Sequence, residues 1–138
     1  MRAGRVRRLA AMNITQYEQA HLQGVLALCE AEDWPSLPSD PARAHSVFTA
    51  PGVTTVVALD DAQVVGFAYL QSDGHIQAHL SMMAVSRSHR RQGIGQALLE
   101  YAAPLTGAQR IDLVTDTAED FYASLPHRPL KGFRLHLT

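Results

Sequence analysis

The sequence predicts an α+β domain, a central mixed but mostly antiparallel sheet flanked by helices, on three observations. Two runs rich in β-branched residues, Val53 to Leu59 and Gln63 to Leu70, and a third run, His75 to Val85, follow one another with only short turns between them, the pattern of an antiparallel meander. Two segments with apolar residues at helical spacing precede that meander and another follows it. A further short strand-like run, Arg110 to Val114, comes directly after the later helix, so it rejoins the sheet through a right-handed crossover that lays it nearly parallel to its neighbour.

Each element has its own signal. Met12 to Tyr17 suits a first strand. From His21 to Ala31, Leu22, Val25, Leu26 and Cys29 fall on one helical face. The stretch Asp33 to Asp40 is turn-rich, and Pro41 just after Asp40 marks the capped start of a shorter helix through Val47 and Phe48, stopped by Pro51-Gly52. Asp60-Asp61 and Asp73-Gly74 turn the meander. After the polar loop Ser86 to Gln92, a helix carries Ile94, Ala97, Leu98, Tyr101 and Ala102 on one face and is expected to end at Pro104. Asp116, with Glu119 three residues on, predicts a capping box for a helix bearing Ala118, Phe121, Tyr122 and Leu125. Phe133, Leu135 and Leu137 alternate like a last strand. The expected order is β-α-α-β-β-β-α-β-α-β.

The 138 residues suit one domain of the usual ~100–200-residue size, with a hydrophobic fraction of 46% and a charged fraction of 18% that leave no room for extended disorder. We expect residues 12–138 to form that domain. Residues 1–11, which hold Arg2, Arg5, Arg7 and Arg8 and show neither strand nor helix period, are expected to form a disordered N-terminal extension. A net charge of -1 argues against a nucleic-acid binder, and no apolar run reaches the ~18–20 residues of a membrane span. The lone Cys29 excludes a disulfide framework and points to a reducing, cytoplasmic setting.

The chemistry concentrates in Arg90-Arg91-Gln92-Gly93-Ile94-Gly95. Gly93 and Gly95 stand between a basic loop and a helix start, where successive backbone N–H groups point at one anion. Side chains there would hold a phosphate away from the amides, and Arg90 and Arg91 add charge-assisted contacts. The expected ligand is a diphosphate. A Rossmann fingerprint competes, since Asp112 lies about 19 residues beyond Gly93. It fails because Leu98 occupies the third glycine position and the motif follows a meander. No Lys-Ser or Lys-Thr closes a Walker loop.

At these residues the sequence resembles the GNAT N-acetyltransferase family, whose cofactor loop reads Arg/Gln-x-x-Gly-x-Gly/Ala and is matched by Arg90, Gly93 and Gly95. Met82-Met83-Ala84-Val85 is similar to the family's bulged fourth strand, and Phe121-Tyr122 to its Phe-Tyr pair. The resemblance runs from about Met12 to the end and implies an acetyl-CoA-dependent transfer of an acetyl group directly to a primary amine in a ternary complex. It further implies that the strands near Met83 and Leu113 splay apart around the pantetheine, with Met83, Ala84 and Val85 on the cofactor and an N–H at the bulge, near Met83, stabilising the oxyanion. Tyr122 would protonate the departing thiolate. The segment Pro126 to Lys131 interrupts the family's Leu-Gly-Phe connection, so the C-terminal end is abbreviated and a second subunit, in a homodimer, could complete the acceptor pocket.

Thioester aminolysis needs a neutral amine, and imidazole suits the removal of its proton near pH 7. His79 alternates with Ser81 and Met83 on the fourth strand and is the candidate base; family members often carry glutamate at the positions of His79 or Ser81, and neither is acidic here. Asp73 and His75 are weaker alternatives. In the family the loop between the first two helices shapes the acceptor site, which places Glu32, Asp33 and Trp34 beside a small-molecule or peptide amine. The seven histidines are scattered; even His75 and His79 stand about 13 Å apart along a strand, so no metal site is expected. A competing class is a non-catalytic acyl-CoA sensor that keeps the cradle without turnover, and a third is a nucleic-acid-binding accessory domain resting on the basic N-terminus.

Overall fold

Runs of β-branched and aromatic residues build the centre of the molecule. In the computed structural model, which describes residues 12–137, strands β2 (Val53–Asp60) and β3 (Gln63–Ser72) are buried along four and six consecutive positions. Both faces of these strands are covered, which is why they read as continuous apolar runs rather than alternating ones. They join β1 (Met12–Gln16), β4 (Gln77–Val85) and β5 (Arg110–Asp112) in one sheet of order β1-β2-β3-β4-β5. The first four strands pair antiparallel, and β5 alone runs parallel to β4. The expected N-terminal extension, residues 1–11, lies outside the described residues.

Helices α1 (Leu22–Ala31) and α2 (Pro41–Phe48) cover one face, where Val25, Leu26, Phe48, Val57 and Phe67 share a core. Asp40 caps α2 as expected, accepting from the Arg43 N–H at 3.1 Å, with Pro41 in the first turn. Helix α3 (Ile94–Thr106) covers the other face, with Ile94, Leu98 and Ala102 against Val56, Val65, Ala68, Leu70 and Leu80. Burying each of the larger aliphatic side chains contributes about 1.5–3 kcal/mol.

Four expectations change. Helix α3 does not end at Pro104 but runs to Thr106. A proline in the last turn removes one N–H, and the buried Thr106 holds the turn in place: its carbonyl accepts from Ser72 Oγ at 2.8 Å and its hydroxyl donates to the Ala103 carbonyl. Strand β5 stops at Asp112 rather than Val114. Helix α4 (Glu119–Ala123) starts after Ala118, so the expected capping box at Asp116 does not form; Thr115 Oγ1 accepts the Ala118 N–H instead. Finally, residues 126–137 form no strand, and Phe133, Leu135 and Leu137 are 88%, 82% and 96% exposed. Pro126 and Pro129 interrupt the approach, and three residues of β5 offer a short edge to pair with. The tail passes close to that edge, since a Cβ on Gly132 would stand 2.3 Å from Val114 Cγ1, yet it makes no ladder there.

Candidate active site

The site starts where the sheet opens. Strand β4 is paired with β3 from Ala78, opposite Ser72, to Val85, opposite Gly66. On its other edge it pairs with β5 only at Gln77, Ala78 and His79, opposite Arg110, Ile111 and Asp112. From Leu80 to Val85 that edge has no strand partner among the described residues. The separation expected near Met83 and Leu113 thus begins just after His79.

The bulge in β4 lies earlier than expected. Leu80 pairs with Leu70 and Met82 with Tyr69, which leaves Ser81, not Met83, as the inserted residue. The insertion resets the alternation. Leu80 and Met83 both pack on the α3 side of the sheet, whereas Met82 packs on the α1 side. His79, one residue before Leu80, therefore does not share a face with Met83. Ser81 lies beside the Tyr69 phenol, whose pKa burial pushes up and Ser81 partly lowers, but the buried Ser81 hydroxyl completes no well-formed hydrogen bond.

The loop that follows is anchored by His89, which sequence reasoning left among the scattered histidines. His89 is buried, with Nε2 2.9 Å from Asp60 Oδ2 and Nδ1 2.8 Å from Ser88 Oγ. An ionised carboxylate can only accept, so Nε2 carries a proton towards Asp60. This ties the short turn Arg87–His89 to the tip of the β2–β3 hairpin. Arg90 then donates Nε to the Val85 carbonyl at 3.1 Å and pairs with Glu32. Arg91 takes φ +61 and Gly93 φ +81, the left-handed region that suits glycine.

Helix α3 begins at Ile94 with no side chain capping its first turn, so its leading N–H groups are open to an anion. Among the described residues, nothing stands within 4 Å of where a Gly93 side chain would project, and the buried Gln92 Oε1 has no hydrogen-bond partner. At Gly95 a Cβ would meet Phe121 at 3.2 Å, so the aromatic pair of α4 packs directly over the helix start, near Met83. These features fit a diphosphate: uncapped amides, a residue that tolerates the left-handed turn, and space in front of them.

Tyr122 lies edge-on to Phe121, ring centroids 4.9 Å apart, and packs against the α3-side core. Partial burial raises its pKa from an ordinary value already well above neutral, so the phenol is protonated at neutral pH. His79 is exposed at the last paired position, opposite Asp112. Asp73 is a poor base, because hydrogen bonds from the Ile76 and His75 N–H groups hold its carboxyl below the usual range. Cys29 is fully buried, and desolvation with the charge of Glu30 pushes its thiol up to about 11, so it offers no nucleophile.

The three acceptor candidates divide. Asp33 and Trp34 join Glu30, Pro35, Pro38 and Ser39 around an open hollow of about 420 Å³, and Trp34 also packs on the α1-side core. That hollow contains no residue of loop 90–95 or of the opened β4–β5 edge. Glu32 turns instead to Arg90. No sequence signal pointed to that pair across 58 positions; the hint available for the His89 anchor was its place beside Arg90.

A cofactor-loop geometry at a sheet that opens beside its fourth strand defines an acyltransferase of the N-acetyltransferase class, and the comparisons agree. Residues 51–125, more than half of the chain, match the acetyltransferase (GNAT) domain. The chain belongs to that family. Acetyl-CoA is the family's acetyl donor. Among solved structures, the Trypanosoma brucei acetyltransferase Tb11.01.2886 is 22% identical, with a TM-score of 0.74 over 91% of this chain and 99% of that one. The aminoglycoside N-acetyltransferase AAC(6')-Iy in complex with CoA is 19% identical, TM-score 0.76, over 92% and 94%. A ribosomal-protein-alanine N-acetyltransferase from Brucella melitensis biovar Abortus 2308 is 16% identical, TM-score 0.74, over 92% and 99%. At these identities the likeness is one of fold. No curated protein sequence gives a significant match.

Proposed function

We propose that the chain, acting through a single domain of residues 12–138 in the cytoplasm, transfers an acetyl group from acetyl-CoA directly to a primary amine in a ternary complex. The observation that carries this is the continuity of the opened β4 edge with the uncapped start of α3: one ligand with a diphosphate at one end and amides along its arm would meet both. In this reading the N–H groups of Gly93, Ile94 and Gly95, with Arg91 and Gln92 beside them, hold the diphosphate, and Met83, Ala84 and Val85 line the arm. The bound cofactor supplies an activated acetyl thioester. His79 takes the proton from the amine, and Tyr122, a phenol protonated at neutral pH, returns one to the departing sulfur. The buried, high-pKa Cys29 favours direct transfer over a covalent enzyme intermediate.

The acceptor is a small-molecule or peptide amine, and the acidic Glu32 and Asp33 beside Trp34 favour a cationic one. The exposed apolar tail supports a homodimer, which sedimentation would reveal as a doubled mass. Release of CoA thiol on mixing the protein with acetyl-CoA and a panel of amines, including polyamines, aminoglycosides and peptide N-termini, tests the activity. Turnover with one class names the acceptor. Tight CoA binding without thiol release from any amine would favour the non-catalytic sensor. Loss of kcat/KM in His79→Ala near neutral pH, recovered at high pH where free amine is abundant, is expected if His79 is the base; an unchanged profile removes it.

A further inference from the structure

Two side chains singled out for different ligands are bonded to each other. Glu32, just after α1, and Arg90, in the loop before α3, form an ion pair that is partly open to solvent, 25% and 46% exposed. The local charge explains the contact. Glu32 caps the C-terminal end of α1, where the helix carbonyls concentrate negative potential, Glu30 and Asp33 flank it, and no basic residue stands in the last turn. Arg90 is the cation that meets this anionic end. Its Nε stays on the Val85 carbonyl while the outer guanidinium nitrogen reaches Glu32.

We infer that the Glu32–Arg90 pair couples the cofactor and acceptor sites by making one positive charge serve both. The inference rests on the reading of loop 90–95 as a diphosphate cradle. A diphosphate arriving at the loop competes with Glu32 for the guanidinium, which can shift its outer nitrogens without letting go of Val85. Charge then shared with the diphosphate no longer compensates Glu32, whose carboxylate, beside Asp33 and Trp34, gains attraction for a cationic amine. The coupling is reciprocal: an amine that draws Glu32 away from Arg90 strengthens the hold on the cofactor by the same factor. Glu32 thus restrains cofactor binding when no acceptor is present.

A double-mutant cycle read by calorimetric titration of the full chain with CoA tests this. Glu32→Gln is expected to bind CoA about two- to fivefold tighter, the scale of a partly exposed ion pair. Arg90→Gln is expected to bind it more weakly, and adding Glu32→Gln to that variant to change nothing further. High salt should shrink the first difference. Unchanged or weaker CoA binding by Glu32→Gln, with a parental melting temperature, overturns the coupling and leaves the pair a strut. Should Glu32→Gln lose stability, Glu32→Asp, which keeps the charge but shortens its reach, takes its place with the same two readings. A parent that binds no CoA overturns the cradle reading and this inference with it; a parent that binds CoA with a flat cycle overturns the coupling alone.

Discussion

Up to Thr106 the apolar side chains pack into two cores on either face of the sheet, whereas beyond it no described residue is buried. The first region holds the frame: β1 to β4, the two covering helices and α3. The second holds β5, the five-residue α4 with its Phe121-Tyr122 pair, and an exposed tail. The proposed cofactor loop belongs to the frame and the proposed acid to the loosely packed region. The division teaches that the proposed diphosphate cradle sits on the well-packed frame, while the group proposed to finish the reaction rides on an element with few anchors of its own.

The comparison breaks most sharply at Tyr122. Tyr122→Phe keeps the ring and removes the hydroxyl, so kcat should fall by roughly 10²–10⁴ with CoA affinity and melting temperature nearly unchanged. Near-parental kcat, with chemistry shown to be rate-limiting, would take Tyr122 out of the mechanism. A stability contrast comes next. Leu98→Ala, in the fully buried α3 seam, should cost about 2–5 kcal/mol in denaturant unfolding, while Leu135→Ser in the tail should stay within about 0.5 kcal/mol. A comparable loss in both would mean that the tail packs in solution as tightly as the frame.

The His89 anchor sharpens the picture further. His89→Ala removes hydrogen bonds to the half-buried Asp60 and the exposed Ser88, a loss of about 0.5–1.5 kcal/mol for each, and should weaken CoA binding because the loop leading to Gly93 loses its tie to the hairpin. Parental CoA affinity would show that the loop holds its shape without the anchor. The smallest effect is expected at Cys29. Its folded pKa near 11 lies above the ordinary 9.0, so its contribution to stability is complete below pH 9 and fades as pH rises towards 11. Cys29→Ala should remove that portion of the alkaline slope, and identical slopes in parent and variant would refute it.

Legibility from sequence follows the same boundary. Strands β1 to β4 and helices α1 and α2 were readable because their burial imposes period and composition, and Asp40-Pro41 is a local cap that depends on nothing distant. The Gly93-Gly95 turn was readable for the same reason, its conformation being dictated at the residues themselves. What escaped was set by long-range contacts or by weak packing. Pro104 stays helical because Thr106 is held by Ser72 from the sheet. Phe133, Leu135 and Leu137 alternate like a strand but find no partner edge. Glu32 with Arg90, and His89 with Asp60, join positions that no local pattern connects.

The extra residue at Ser81 carries a consequence for how this strand can vary. A β-strand counts in twos, and one inserted residue changes the count for everything after it. Met83 and Val85 face α3 because Ser81 stands outside the count; were Ser81 taken into the ladder as an ordinary strand residue, Met82 and Ala84 would take those places. Deleting Ser81 leaves Leu80, Met82, Met83 and Val85 on the faces they hold, so a deletion scan along β4 should find Ser81 the best-tolerated position of that segment.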